Sequence, residues 1–327
     1  MRKRVVVLNA YTLSPRRAED LVRIRAFLEG LEHGGYRRSK DVDVDILDSN
    51  NLGEMETLTR DALRQPVDLI HAVGTPNALV AIRCGCGIPV VYYGAHPEGA
   101  GEAACREAGA VGVLTLPFTQ NYKHFRLVRA LFPGVKQVWA PFYEDTVFCQ
   151  PDMKSNHRLH RTRTCGTPWL DGTSSHIGHP GLAGLCYIIG LEYREFVYHN
   201  CDDLLWGLEF VDRSNGLMMP YNDSIYCEGA PAALMRFSVE RGIPLFWNNN
   251  TEATRIGAVA AISGCFRWAG IETGKIAASI LNGATPRSFP WITSTKTFGS
   301  LNVTRARDLG LEPAPKVVAQ FDEVIMS

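Results

Sequence analysis

Short apolar runs separated by stretches of helical periodicity constrain this chain more than any other feature. Runs such as Val5–Leu8, Val67–Val73 and Ile88–Tyr93 suit strands buried on both faces, which occur in parallel sheets covered by helices. Between the first two lies a helical pattern over Pro15–Leu31, with Leu21, Ile24, Phe27, Leu28 and Leu31 on one face and Gly34-Gly35 as its stop. A strand over Val42–Leu47, a helix over Glu54–Leu63 and a strand over Ala110–Leu116 complete the series. Strand and helix in alternation predict a doubly wound α/β lobe.

A second series begins with a helix over Thr119–Phe132 and a strand over Val135–Ala140. It continues with strands near Leu185–Ile189 and over Gly216–Met219, a helix over Pro231–Arg241 and a strand over Ile243–Trp247. The end reads as a strand over Ala258–Ile262, a helix over Phe266–Leu281, a strand over Ser300–Val303 and a short helix over Thr304–Leu309. Residues 149–180 lack periodicity and read as a long loop. With 327 residues, and roughly 100 to 200 per domain, the expected architecture is two doubly wound parallel-sheet lobes joined by crossovers. The expected boundaries are 1–116 plus 251–285 for the first lobe and 117–250 plus 286–327 for the second, with a hinge near Pro117 and Asn250.

Charge excludes some partners. The 34 basic and 34 acidic side chains balance, whereas nucleic acid or an anionic membrane would favour a basic excess. No apolar stretch reaches the ~18 residues of a membrane span. The basic start Met1–Arg4 precedes only four apolar residues before Asn9, short of the ~7 to 15 of a secretory signal. Nine cysteines, an odd number without a C-x-x-C pair, give no disulfide framework and read mainly as small buried hydrophobes. Cys84-x-Cys86 reads as a helix end.

Ligands of open parallel sheets bind beyond the carboxyl ends of strands. The loop after Val73 fits best: Thr75 as a helix cap, Pro76 in the first turn and Asn77 beside them leave backbone amides for an anion. Other strand ends supply Tyr11, His96, Asn222, Asp223, Asn249, Asn250 and Cys265. These side chains offer hydrogen bonds and stacking but no evident nucleophile with its base, so binding rather than catalysis is expected, with no cofactor. The alternative is an intracellular sensor or enzyme that uses Cys265 with His96 as thiolate and imidazole. His157, His160, Cys165, His176 and His179 are spaced loosely for a metal site, and no metal is assigned to them.

Several segments together resemble the substrate-binding proteins of ABC transporters, of the kind that includes the tryptophan- and phenylalanine-binding lipoproteins. They are Pro66–Ala78, Gly87–Val91, Leu131–Lys136, Arg241–Phe246, Gly257–Gly270, Ile280–Gly283, Asn302 and Ala306–Leu311. The resemblance implies a type I periplasmic-binding-protein-like fold that closes a two-lobed cleft on a small molecule and delivers it to an ABC permease. It also implies a monomer outside the cytoplasm, periplasmic or lipid-anchored; the lack of a signal in this sequence leaves a cytoplasmic location open. Gly74–Pro76 would hold a ligand carboxylate, and Asn222 or Asp223 matches an acidic position of the second lobe. His96-Pro97 stands where the family commonly has Asp-Pro, and Cys265-Phe266 where it has Asp before a Tyr pair. Without those carboxylates a ligand ammonium lacks its partner, so an aromatic or carboxylate compound is expected.

Overall fold

The structure is a computed structural model describing residues 2–9, 21–49, 52–85, 87–94, 105, 107–115, 117–143, 186–211, 214, 216–220, 229–248 and 251–326. The chain forms two compact units, Met1–Leu116 with Cys265–Lys296 and Pro117–Gly264 with Thr297–Ser327. Residues 251–264 pack with the second unit and 286–296 with the first, so the chain passes between units at 116/117, 264/265 and 296/297.

Elements are numbered along the whole chain. In the first unit β1 (Lys3–Asn9) leads through α1 (Val22–His33) to β2 (Val42–Asp48). Then α2 (Leu52–Ala62), β3 (Leu69–Val73), α3 (Thr75–Cys84), β4 (Val90–Gly94) and β5 (Val111–Thr115) follow. The returning segment adds α7 (Phe266–Leu281) and the edge strand β11 (Ile292–Ser294). All six strands are parallel, in the order β11-β5-β4-β3-β1-β2. The chain moves outward from β1 to β2 and then back across β1 to β3. Right-handed connections in opposite directions put α1 and α2 on opposite faces. Val5, Val6, Val7 and Leu8 are all fully buried, as expected of a strand covered on both faces.

Helices α1 and α7 run side by side at unusually close range. Ala26, Gly30 and Gly34 of one face Gly270, Gly274 and Ala278 of the other, each set at i, i+4, i+8. A Cβ on Gly274 would lie 2.7 Å from the Cα of Gly30, and one on Gly270 would lie 2.7 Å from the Cβ of Ala26. Glycine here serves approach rather than flexibility. Around this seam Ile24, Phe27, Leu31, Ile276 and Leu281 pack with the sheet residues Val5, Val73 and Val91.

The second unit contains α4 (Pro117–Leu131), β6 (Gln137–Tyr143), β7 (Glu192–Tyr198), α5 (Cys201–Leu208), β8 (Gly216–Met218), α6 (Ala230–Arg241) and β9 (Phe246–Asn248). It closes with β10 (Ala260–Gly264), β12 (Thr297–Asn302), α8 (Val303–Asp308), α9 (Pro315–Val318) and β13 (Glu323–Ile325). β7-β6-β8 are parallel, and a bridge, Met218 to Leu245, joins them to β9-β10-β12-β13. β12 is antiparallel to β10, with Gly264 opposite Thr297. The antiparallel pair in this otherwise parallel lobe has a topological reason. The strand that leaves this unit and the strand that re-enters it are neighbours, so they must run in opposite directions.

Of the run expected as a strand near Leu185–Ile189, Cys186–Ile188 is helical. Gly190, at φ 72°, turns the chain, and the strand begins at Glu192. The loop at 149–180, with its histidines and Cys165, lies outside the described residues.

One residue ties three segments of this unit together. Asn302 caps α8 by accepting from the Arg305 N–H at 2.7 Å and donates to the Thr254 carbonyl at 3.0 Å. Replacing it with alanine removes both bonds, and a loss of about 1–2 kcal/mol in chemical denaturation is expected; a loss below a few tenths would deny the cap its role.

Candidate ligand site at the strand ends of the first unit

The order of the strands creates a switch point between the carboxyl ends of β1 and β3, where successive connections diverge to opposite faces. Asn77 pins that point. Its side chain is fully buried, and its Nδ2 donates to the Val73 carbonyl at 2.8 Å and the Leu8 carbonyl at 3.4 Å. Among the described residues its Oδ1 is buried without a hydrogen-bond partner. Most of the amide therefore positions the strands, and only this oxygen is left to accept from anything else.

The turn from β3 into α3 is set by Gly74, whose φ of 90° and ψ of 152° suit glycine and few other residues. Gly74, not Thr75, is the helix cap, and no side chain completes the cap. Thr75 is statistically a good cap, but the chain must turn through a conformation that excludes a β-branched residue. The Gly74 N–H donates to the Tyr93 carbonyl at 2.7 Å, and the first helical bond runs from Ala78 N–H to the Gly74 carbonyl. The amides of Thr75 and Asn77 precede that bond, while Pro76 has none to offer.

A second helix begins close by. Phe266, the first residue of α7, lies edge-on to Tyr93 of β4, with ring centroids 5.4 Å apart. Cys265 is the cap of α7; its N–H donates to the Lys296 carbonyl at 3.0 Å, and its side chain makes no cap bond. Lys296 in turn sits over the Trp268 ring at 5.1 Å. The amino termini of α3 and α7 thus meet the ends of adjacent strands β3 and β4. Neither helix has an acidic residue in its first turn, so neither positive dipole end is neutralised by its own sequence.

On the other side of the switch point the polar groups satisfy one another. The fully buried Asn9 donates to Asp48 at 2.6 Å and accepts from Arg23 Nε at 3.0 Å. Ser49 donates to Glu54 at 2.6 Å. This cluster braces β1 against β2.

Of the side chains proposed from sequence, the structure brings Asn77 and the loop of Thr75 and Pro76 to one strand edge, with Cys265 at the neighbouring helix. Tyr11, His96, Asn222, Asp223, Asn249 and Asn250 lie outside the described residues. The pair of Tyr93 and Phe266 was not singled out by sequence. An aromatic residue in the first turn of a helix that follows an apolar strand is the signal that could have found it.

No protein-family model matches the chain, and no curated protein matches it by sequence. Solved structures do match. A conserved domain protein from Vibrio cholerae aligns over 99% of this chain and 100% of its own, with a TM-score of 0.76 at 18% identity. The fold is that of the periplasmic-binding-protein-like proteins. An ABC domain from Streptococcus pneumonia in complex with L-Trp aligns over the same shares, with a TM-score of 0.75 at 18% identity. A substrate-binding protein with adhesive properties from Clostridium difficile, in a ligand-free, open structure, gives 0.61 at 17% identity over 99% and 100%. The periplasmic-binding-protein-like fold also serves a probable transcriptional repressor of a maltose operon from Staphylococcus, with a TM-score of 0.57 at 12% identity over 90% and 94%. Among the described residues, no helix is long and apolar enough to cross a membrane.

Proposed function

We propose that this protein binds a small solute for an ABC importer, and that its first unit takes an anionic group of that solute on the backbone amides of Thr75 and Asn77. The observation that carries this reading is the convergence of two helix amino termini, neither with an acidic first-turn residue, on the ends of β3 and β4. Such termini favour anions through their unpaired N–H groups and dipoles. The edge-paired rings of Tyr93 and Phe266 give the non-polar part of an aromatic ligand a surface to rest on. Tyr11, His96, Asn222, Asp223, Asn249 and Asn250 are the further contacts we assign to it. The reading carries with it an extracytoplasmic location and a permease as partner.

Catalysis is the weaker reading. That reading needs the His96 imidazole within reach of the Cys265 thiol, and His96 lies outside the described residues.

Melting curves with a panel of aromatic acids, amino acids, sulfur compounds and sugars test the reading. A true ligand at 100 times its Kd stabilises by about 2.7 kcal/mol, a rise of roughly 4 °C for a protein of this size. Gly74→Ala forces the turn out of its glycine-only conformation, at a cost of about 1–3 kcal/mol. It is expected to abolish the ligand-dependent rise as well as lower the melting point itself. A panel without any shift, or a shift that survives Gly74→Ala intact, contradicts the proposal.

A further inference from the structure

We propose that a recess at the opposite, amino-terminal edge of the first unit's sheet is a second ligand site, and that it takes an aromatic carboxylate. The recess, open to solvent, has a volume of about 450 Å³ and is lined by Glu107, Gly109 and Ala110 ahead of β5, and by Pro286, Arg287, Phe289 and Trp291 ahead of β11. That volume lies within the ~300–1,000 Å³ of small-molecule sites. It is separated by the length of the strands from the carboxyl ends where Gly74 and Phe266 lie.

Its two walls are chemically distinct, and each is set by a glycine. Gly109, at φ 78°, lies against the Arg287 side chain, where an added Cβ would be 3.2 Å from Nε and 3.8 Å from Nη2. The guanidinium thus rests on bare backbone. Gly112 does the same for the aromatic wall, since a Cβ there would be 3.2 Å from Cζ3 of Trp291. The half-buried Trp291 is also held edge-on by the buried Tyr92, with centroids 5.1 Å apart and planes at 71°. Half-buried Phe289 stands beside it at the recess.

Arg287 and Glu107 are both exposed, and among the described residues neither is in an ion pair. A planar guanidinium without a carboxylate partner beside a fixed aromatic ring fits a ligand that brings both complements. Its carboxylate takes the fork of Arg287, and its ring packs on Trp291 and Phe289. Glu107 at the same recess accepts from a polar hydrogen on the ring and disfavours additional negative charge.

The probe is 4-hydroxyphenylacetate, titrated into the full chain while the Trp291 indole N–H resonance is followed, with Trp291→Phe supplying its assignment. A saturable shift is expected. Arg287→Gln should weaken binding at that resonance at least 10-fold, as should replacing the probe by tyramine, which lacks the carboxylate, or by cyclohexylacetate, which lacks the ring. Arg287 is exposed, so its variant keeps the fold even if Trp291→Phe does not. Shifts equal in wild type and Arg287→Gln, equal affinity for tyramine, or no saturable shift at all would overturn the site. Loss of ligand binding at Gly74 alone leaves this resonance unaffected, so the two sites fail separately.

Discussion

Gly274→Ala is expected to destabilise the first unit by more than 3 kcal/mol, although alanine is the better helix former. On propensity alone the change in mid-helix would stabilise by about 0.5–1 kcal/mol. Packing reverses the sign. The new methyl would collide with the Phe27 carbonyl oxygen and lie 2.7 Å from the Cα of Gly30 and 2.8 Å from the backbone nitrogen of Leu31. All three are backbone atoms of a neighbouring helix, so no side-chain rotamer can make room. Overpacking typically costs 1–3 kcal/mol where side chains can move, and separating α1 from α7 would also open the apolar contacts of Ile24, Phe27 and Ile276. Gly134, with nothing within 4 Å of its virtual Cβ, is the control: Gly134→Ala should change stability by less than about 0.5 kcal/mol. Urea titrations of the two variants decide the matter, and a stabilising Gly274→Ala would refute the close packing.

The second large effect is on acid stability. His71 lies in the middle of β3, fully buried, stacked on Phe27 with centroids 3.9 Å apart, and its Nδ1–H donates to the Val91 carbonyl at 3.1 Å. Burial outweighs that hydrogen bond and pushes its pKa down from 6.5 to about 3. The folded ring therefore stays neutral while the unfolded chain takes up a proton as pH falls below 6.5. The unfolded state then binds more protons, so stability rises with pH. The contribution is fully present above pH 6.5 and is lost progressively from there down to about pH 3. At pH 5 the loss is about 2 kcal/mol, from one pKa unit being worth 1.36 kcal/mol. His71→Met should remove that share of the difference between denaturation at pH 7.5 and pH 5.0. An unchanged difference would mean that other groups carry the acid sensitivity.

Much of the first unit could be read directly from the sequence because its local signals agree with its tertiary structure. The α7 helix begins at Phe266 and ends at Leu281 as expected, since the apolar strand before it and Asn282-Gly283 after it, the latter glycine at φ 101°, leave little choice. β1, β3 and β4 are continuous apolar runs because both faces are covered. What escaped was non-local. The three-residue strands β11 and β13 carry too little pattern to stand out and exist because β5 and β12 offer them an edge. Helix α5 did have a legible start, with Asn200 accepting from the Asp203 N–H at 2.9 Å, but at eight residues it fell below the length at which periodicity speaks. The unit boundary at 264/265 depends on β10 pairing with β9 and β12, which no local signal announces.

The candidate site divides in the same way. The loop Gly74-Thr75-Pro76 was legible as a helix start after a buried strand, and the structure corrects only which residue caps it. Asn77 was read as a ligand contact, whereas its nitrogen is committed to the carbonyls of Leu8 and Val73. Sequence shows that an amide is present, not which neighbours will use it. That α7, from Phe266 onward, begins beside β4, which ends at Gly94, could come only from the fold.

Amide resonances of Gly74, Thr75 and Asn77, followed while the compound with the largest melting shift is titrated, address the binding reading at its source. One-site saturation with these three among the most strongly displaced signals is the expected result. Saturation that leaves all three in place would show that the solute is held elsewhere and that the two helix ends are only structural.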